Sequence, residues 1–215
     1  MRSLDELACA GAVLRVLSGL MAGPPDEQRL ATLRDPQWLE QWPMARTDVC
    51  RAGLHLLERS AQEGEDATLV AQDHARLVGG PGRVAVHPYE SVHRSVEGLL
   101  FEQETLEVRA AYAEFGLAAP DKNRSPDDHI SLELEFVATL AERALDAEGE
   151  ELERLVVGFD RFLAEHLFQW APNFFDTLGR AAQTHFHHGV ALLGVDTLVQ
   201  LGAGRTAPAQ GAPQG

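Results

Sequence analysis

Cysteine is almost absent from this chain. Cys9 and Cys50 are the only two in 215 residues, and they stand in neither CxxC nor metal-ligand spacing. No disulfide framework is implied, and a reducing compartment is the expected setting. Positive charge is also short: Lys plus Arg number 18 against 33 Asp plus Glu, a formal net charge of −15. That balance argues against a nucleic-acid backbone or an anionic membrane surface as the main partner, and a basic partner suits it better. Long hydrophobic runs are the third shortage. The stretch Leu7 to Met21 is apolar enough to raise the question of a signal peptide, but Asp5 and Glu6 occupy the place of its positive region and Arg15 interrupts it. No other stretch approaches the length of a membrane span, so a cytoplasmic protein without membrane insertion is predicted.

What the chain does have is helical patterning. With 45% hydrophobic residues it can bury one substantial core without metal or disulfides. An amphipathic pattern covers residues 3 to 20, with Leu7, Val13, Leu14 and Leu17 on one side, and Pro24-Pro25 ends it. Asp35-Pro36 reads as a helix start. Thr47 to Glu63 and Ala67 to Val78 are further helices, the first ended by Gly64. Gly79-Gly80-Pro81-Gly82 opens a loop over residues 79 to 90, and it lacks the Gly-Lys-Ser/Thr ending of a phosphate-binding loop.

Beyond the loop, Val96 to Phe115 returns to helical composition, with Gly116 as the stop. Residues 118 to 127 hold two prolines with Asp121, Asn123 and Ser125, and predict a hinge between two helical groups. Ile130, Leu132, Leu134 and Phe136 alternate like a strand. The pattern continues through Val137, Leu140, Ala141, Ala144 and Leu145 at helical spacing, so a helix is predicted there. A core-facing stripe from Leu155 to Trp170 is expected to end at Ala171-Pro172, and a last long segment carries Phe175, Leu178, Ala182, Phe186, Val190 and Leu193. The fold class is therefore all-α, one helical domain over residues 1 to 202 with a hinge near 118 to 127. Residues 203 to 215 hold no core-forming side chain and predict a disordered tail.

Chemistry-bearing residues gather in the polar, Pro-interrupted stretches. Pro88-Tyr89-Glu90-Ser91 can be a stiff loop offering an aromatic ring, an acceptor carboxylate and a hydroxyl, suited to a peptide with arginines and an apolar run. The same four residues can equally be a turn capped by Ser91. Pro126-Asp127-Asp128-His129 marks a helix start where an aspartate caps and complements the dipole. Asp128 and His129 do not make an acid-base dyad, since neighbours on a helix do not face each other, and no Ser or Cys nucleophile is identifiable beside them. His185, His187 and His188, with His166 a helix earlier, raise a metal hypothesis, but no carboxylate or cysteine stands at ligand spacing nearby.

Four blocks, Arg76-Leu77-Val78-Gly79-Gly80-Pro81-Gly82, Pro88-Tyr89-Glu90-Ser91-Val92-His93, Pro126-Asp127-Asp128-His129 with Glu133-Leu134-Glu135-Phe136, and Phe162 to Leu167 with Trp170-Ala171-Pro172, stand in an order and spacing that resembles the TorD/DmsD family. The resemblance spans about Asp73 to Leu193. It implies an all-helical cytoplasmic chaperone, monomeric or a domain-swapped homodimer. Such a chaperone binds the twin-arginine signal peptide of a molybdopterin-dependent oxidoreductase and assists cofactor insertion and assembly before export. It further implies no catalysis, no cofactor of its own and no nucleic-acid partner. Carried onto this chain, the peptide-binding positions fall on Leu77, Pro88, Tyr89, Glu90, Ser91, Asp128 and His129. Val78, His93 and His187 depart from the aromatic residues usual in the family. Two other readings stay open at this point, a histidine-based metal-binding or metal-dependent helical-bundle enzyme and a generic helical adaptor.

Overall fold

The computed structural model describes residues 2–79, 83–95, 98–120 and 126–203. Helix follows helix, and among the described residues the sole extended pairing is one bridge between Tyr89 and His129. Helix α1 (Leu4–Ala22) starts at a reciprocal cap: the Ser3 hydroxyl accepts the Glu6 N–H, and the Glu6 carboxylate accepts the Ser3 N–H. Aspartate or threonine caps open α2 (Glu27–Leu33), α3 (Pro36–Glu40), α4 (Asp48–Gln62) and α5 (Ala67–His74) through Asp26, Asp35, Thr47 and Asp66. Helix α2, just after Pro24-Pro25, has no counterpart in the pattern reading above.

A π turn, Ala75–Gly79, prolongs α5. Then come α6 (Glu90–Arg94), α7 (Gln103–Glu114), α8 (Ile130–Leu145) and α9 (Gly149–Phe162). A second π turn, Leu163–Leu167, leads into α10 (Phe168–Ala181), and α11 (His185–Ala203) is last. Residues 80–82, 121–125 and 204–215 lie outside the described residues. They take with them most of the Gly-rich breaker, the middle of the expected hinge and nearly all of the expected tail, although Ala203 itself still belongs to α11.

Three helix boundaries differ from expectation. The helix expected from Val96 begins only at Gln103; Val96 is outside the described residues, and Gly98 and Phe101 adopt φ of 62° and 63°, which no α-helix accommodates. Pro172 does not stop its helix. The carbonyl its ring would strike is that of Phe168, where the π turn has opened ψ to −14°, so α10 runs through the proline. The final segment is broken at Ala182, whose ψ of 138° leaves the helical region, and α11 restarts three residues later.

The core is one continuous cluster in which Phe159, Phe162, Trp170, Phe174, Phe175 and Phe186 are fully buried. Each such side chain contributes on the order of 1.5–3 kcal/mol of transfer free energy. The helical groups on either side of residues 118–127 share this core, because α1 lies along α8 and α4 along α11. The α4–α11 crossing needs two glycines: a Cβ on Gly189 would come within 2.7 Å of the Gly53 carbonyl, and one on Gly53 within 2.9 Å of Leu193. Arg15 and Ser18 of α1 seal the α1–α8 seam through Glu135, Glu142 and the Ser131 carbonyl.

Candidate functional site

The two motif segments, forty residues apart in sequence, meet in space. Tyr89 and His129 are both extended (φ −123°, ψ 131° and φ −75°, ψ 136°) because each immediately precedes a helix, α6 and α8. Extended residues at two helix starts can exchange backbone hydrogen bonds, and these do. The Glu90 N–H donates to the Asp128 carbonyl at 3.0 Å, and the Ile130 N–H to the Pro88 carbonyl at 2.8 Å. Pro88 suits the bridge, since it holds its own φ and has no N–H left to satisfy.

Helix α6 has no side-chain cap from its own segment, since Tyr89 provides none. Asp128 supplies it: Oδ2 accepts the Ser91 N–H at 2.8 Å, while Oδ1 accepts the Thr105 hydroxyl at 2.7 Å. The Ser91 hydroxyl expected to cap this turn has no partner among the described residues. Helix α7 completes the clamp with Thr105, Arg109 and Tyr112, spaced i, i+4, i+7 along one face. Arg109 forks onto the Asp127 carboxylate at 2.6 and 3.2 Å, and the Tyr112 hydroxyl donates to the Asp127 carbonyl at 3.2 Å. Sequence reasoning missed these three residues; their spacing is visible, but nothing in it says which segment they face.

Beneath the bridge lies a buried charge network. Glu90 is fully buried and pairs with Arg94 one turn on and with His166 Nδ1 at 2.9 Å. Glu133 sits beside it, also fully buried, its Oε2 accepting the Trp170 indole N–H at 3.2 Å. Burial and the neighbouring Glu90 push the Glu133 carboxyl well above the ordinary carboxylate range. The protonated form of Glu133 is thus the one favoured by this setting. Its Oε1 has no hydrogen-bond partner among the described residues.

The residues expected to bind peptide thus separate into two tiers. Leu77, Glu90, Ser91 and Asp128 are fully buried, and Pro88 is buried too. The carboxylates of Glu90 and Asp128 are already engaged by groups of this chain. Leu77 lies under a strap, residues 83–88, that folds back on the first π turn; its carbonyl accepts the Val86 N–H at 2.9 Å. Tyr89 and His129 are half-buried, their rings edge-to-face at 5.1 Å, and both line an open cavity of about 380 Å³ with Ala22, Pro120, Pro126 and Leu132. His129 caps α8: its Nδ1 accepts the Ser131 N–H at 3.2 Å and lies 2.7 Å from the Ser131 hydroxyl, which assigns the ring proton to Nε2. Burial, partly opposed by Asp128, lowers its pKa to about 4, so this face of the cavity is uncharged at neutral pH.

The histidines raised as metal ligands are dispersed. His166 belongs to Glu90, His185 contacts Glu63 at 2.9 Å, and His187 bonds Thr184 at 2.9 Å beside Asp73. Among the described residues no three potential ligands converge. Asp73 is a second buried organiser. Burial opposes its ionisation, but hydrogen bonds from His187, Arg76 and Thr184 outweigh that and hold its carboxyl far below the ordinary range. Of the departures noted above, Val78 is buried and His93 lays its ring against Trp170 at 5.1 Å.

Fold and site together define an all-helical domain that spends its buried charge on holding two loop motifs beside an open cavity. Comparison with known proteins makes this specific. The family described as nitrate reductase delta subunit matches residues 45–176. The chain is 25% identical over 203 residues to the probable Tat proofreading chaperone DmsD of Haemophilus influenzae, covering 92% of this chain and 91% of the relative. It is 28% identical over 190 residues to the Tat proofreading chaperone DmsD of Salmonella typhi, covering 86% and 85%. It is also 28% identical over 134 residues to the chaperone protein TorD of Vibrio parahaemolyticus, covering 61% and 62%. The chain belongs to this TorD/DmsD family, of which the relatives just given are named chaperones. Among the described residues no helix is long and apolar enough to cross a membrane.

Proposed function

We propose that this protein is a cytoplasmic chaperone that recognises the twin-arginine signal peptide of a molybdopterin-dependent oxidoreductase and holds the apo-subunit for cofactor insertion and assembly before export. It acts as a monomer or as a dimer exchanging helices across residues 118–127. The names of the relatives support this reading. The observation that carries it in this chain is the Tyr89–His129 bridge, where the family motifs converge at the edge of a cavity of mixed polarity. In this reading Tyr89 and His129 touch the peptide, whereas Asp128, Glu90, Ser91 and Leu77 position them from below. The cavity is within the roughly 300–1,000 Å³ range of ligand sites, and its Ala22, Pro120 and Leu132 lining suits the hydrophobic part of a signal peptide. The acidic surface speeds encounter with the basic part.

Titrating a synthetic twin-arginine signal peptide into the protein tests this. One-site saturable binding that weakens with salt is expected, and Tyr89→Ala should reduce affinity about tenfold, a loss of ~1.4 kcal/mol. Absence of saturable binding, or full affinity in the Tyr89 variant, would refute it.

A further inference from the structure

The Tyr89–His129 cavity does not end at His129. It shares Ala119, Pro120 and Leu132 with a second cavity of about 190 Å³, whose far end is formed by Glu135 and Thr139. One wall of the combined groove is α8 from Ser131 to Thr139, about 12 Å at ~1.5 Å per residue. That is room for about four residues of extended peptide at ~3.3 Å each. Among the residues lining the two cavities, Glu135 is the one acid. Asp127, Asp128, Glu90 and Glu133 are buried and bonded internally, whereas the Glu135 side chain is 45% exposed.

Glu135 already holds a guanidinium, that of Arg15. The same Arg15 reaches Glu142 through both Nε at 3.0 Å and Nη2 at 2.5 Å, and Thr139 Oγ1 at 3.3 Å. Arg15 therefore keeps a forked partner in Glu142 if Glu135 is taken from it. The Ser18 hydroxyl lies 3.0 Å from Glu135 Oε2, its proton shared with the Ser131 carbonyl at 2.9 Å. The site thus displays the stereochemistry of a guanidinium receiver, with an internal occupant that can retreat.

Resting on the signal-peptide reading above, we propose that Glu135 receives an arginine of the bound peptide, displacing Arg15 onto Glu142. The apolar residues beside that arginine then lie along Leu132 and Pro120 toward Tyr89 and His129. Arg15 acts as a built-in competitor that sets the affinity threshold for basic peptides.

The test uses the full chain and two fluorescent peptides, one with a twin-arginine pair ahead of an apolar run and one with both arginines replaced by citrulline, a neutral isostere. Glu135→Gln should weaken the arginine peptide about tenfold, the scale of a lost charge-assisted hydrogen bond, and leave the citrulline peptide unchanged. Arg15→Gln should move the other way and tighten the arginine peptide several-fold, which keeps the test decisive if the Glu135 variant folds poorly. Glu148→Gln, an exposed acid outside both cavities, controls for net charge and should match wild type. Equal affinity of wild type, Glu135→Gln and Arg15→Gln for the arginine peptide would overturn the assignment while leaving the signal-peptide reading intact. An equal loss for both peptides in Glu135→Gln would overturn it as well. Failure of wild type to bind either peptide would remove both.

Discussion

The carboxylate of Asp128 caps a helix to which it does not belong: its Oδ2 accepts the Ser91 N–H at the start of α6 from 37 residues away. Its Oδ1 binds Thr105 on α7, so one buried side chain fixes three elements. This arrangement accounts for the aspartate before His129 without any ligand, and it shifts the expected consequence of mutation from affinity to stability.

Asp128→Asn should lower the thermal midpoint by several degrees. An amide has one acceptor oxygen where the carboxylate has two, so either the Ser91 N–H or the Thr105 hydroxyl loses its partner in a buried site. The cost is about 1–3 kcal/mol, worth ~2–4 °C per kcal/mol in a domain of this size. Thr105→Val should be partly redundant with it, giving less than the summed loss in a double-mutant cycle. An unchanged midpoint in the Asp128 variant would contradict the clamp.

The contribution of Glu133 to stability should fall as pH rises above the ordinary Glu value of 4.5, because the folded state holds its proton more tightly than the unfolded chain does. Glu133 favours the fold most below 4.5, and its contribution is lost progressively as pH climbs toward its raised folded pKa. Glu133→Gln keeps an acceptor for the Trp170 indole N–H and has no proton to lose. The variant should be similar to wild type at pH 5 and more stable at pH 8 by chemical denaturation. A constant difference across that range would show that Glu133 is ionised in the fold.

His129 has the opposite sign. Its folded pKa of about 4 lies below the ordinary 6.5, so its contribution is complete above 6.5 and is lost as pH falls through 4. His129→Asn retains an acceptor for the Ser131 N–H and should flatten the acid limb of the stability profile. The imidazole resonances of wild type should show no titration at His129 between pH 8 and 6. A midpoint near 6.5 in that titration would mean that the ring is solvated and the bridge open.

Much of the helical order was readable from local chemistry. The caps at Asp35 and Thr47, the stop at Gly116 with φ 68°, and the helical reading of Ile130 to Leu145 follow from interactions within a few residues, which is the range a pattern can express. The placing of the two motifs in polar stretches ahead of helices was legible as well. The role of each was not: Glu90 and Asp128 look from their sequence like carboxylates offered to a ligand, yet both are enclosed and satisfied by Arg94, His166 and Thr105.

The remaining features depend on partners far along the chain. The break at Ala182 is set by Asp73, whose Oδ2 gathers the N–H groups of Gln183 and Thr184 and the Thr184 hydroxyl from 110 residues away. Pro172 sits within a helix because a π turn upstream moved the carbonyl it would strike. By itself the sequence determined an all-helical chain of this family, with its polar motifs in loops, because hydrophobic period and capping residues act locally. Only the tertiary structure decided which of those polar groups reach the surface. Burying a charge is tolerable only beside a partner, and the identity of that partner is a property of the packed helices.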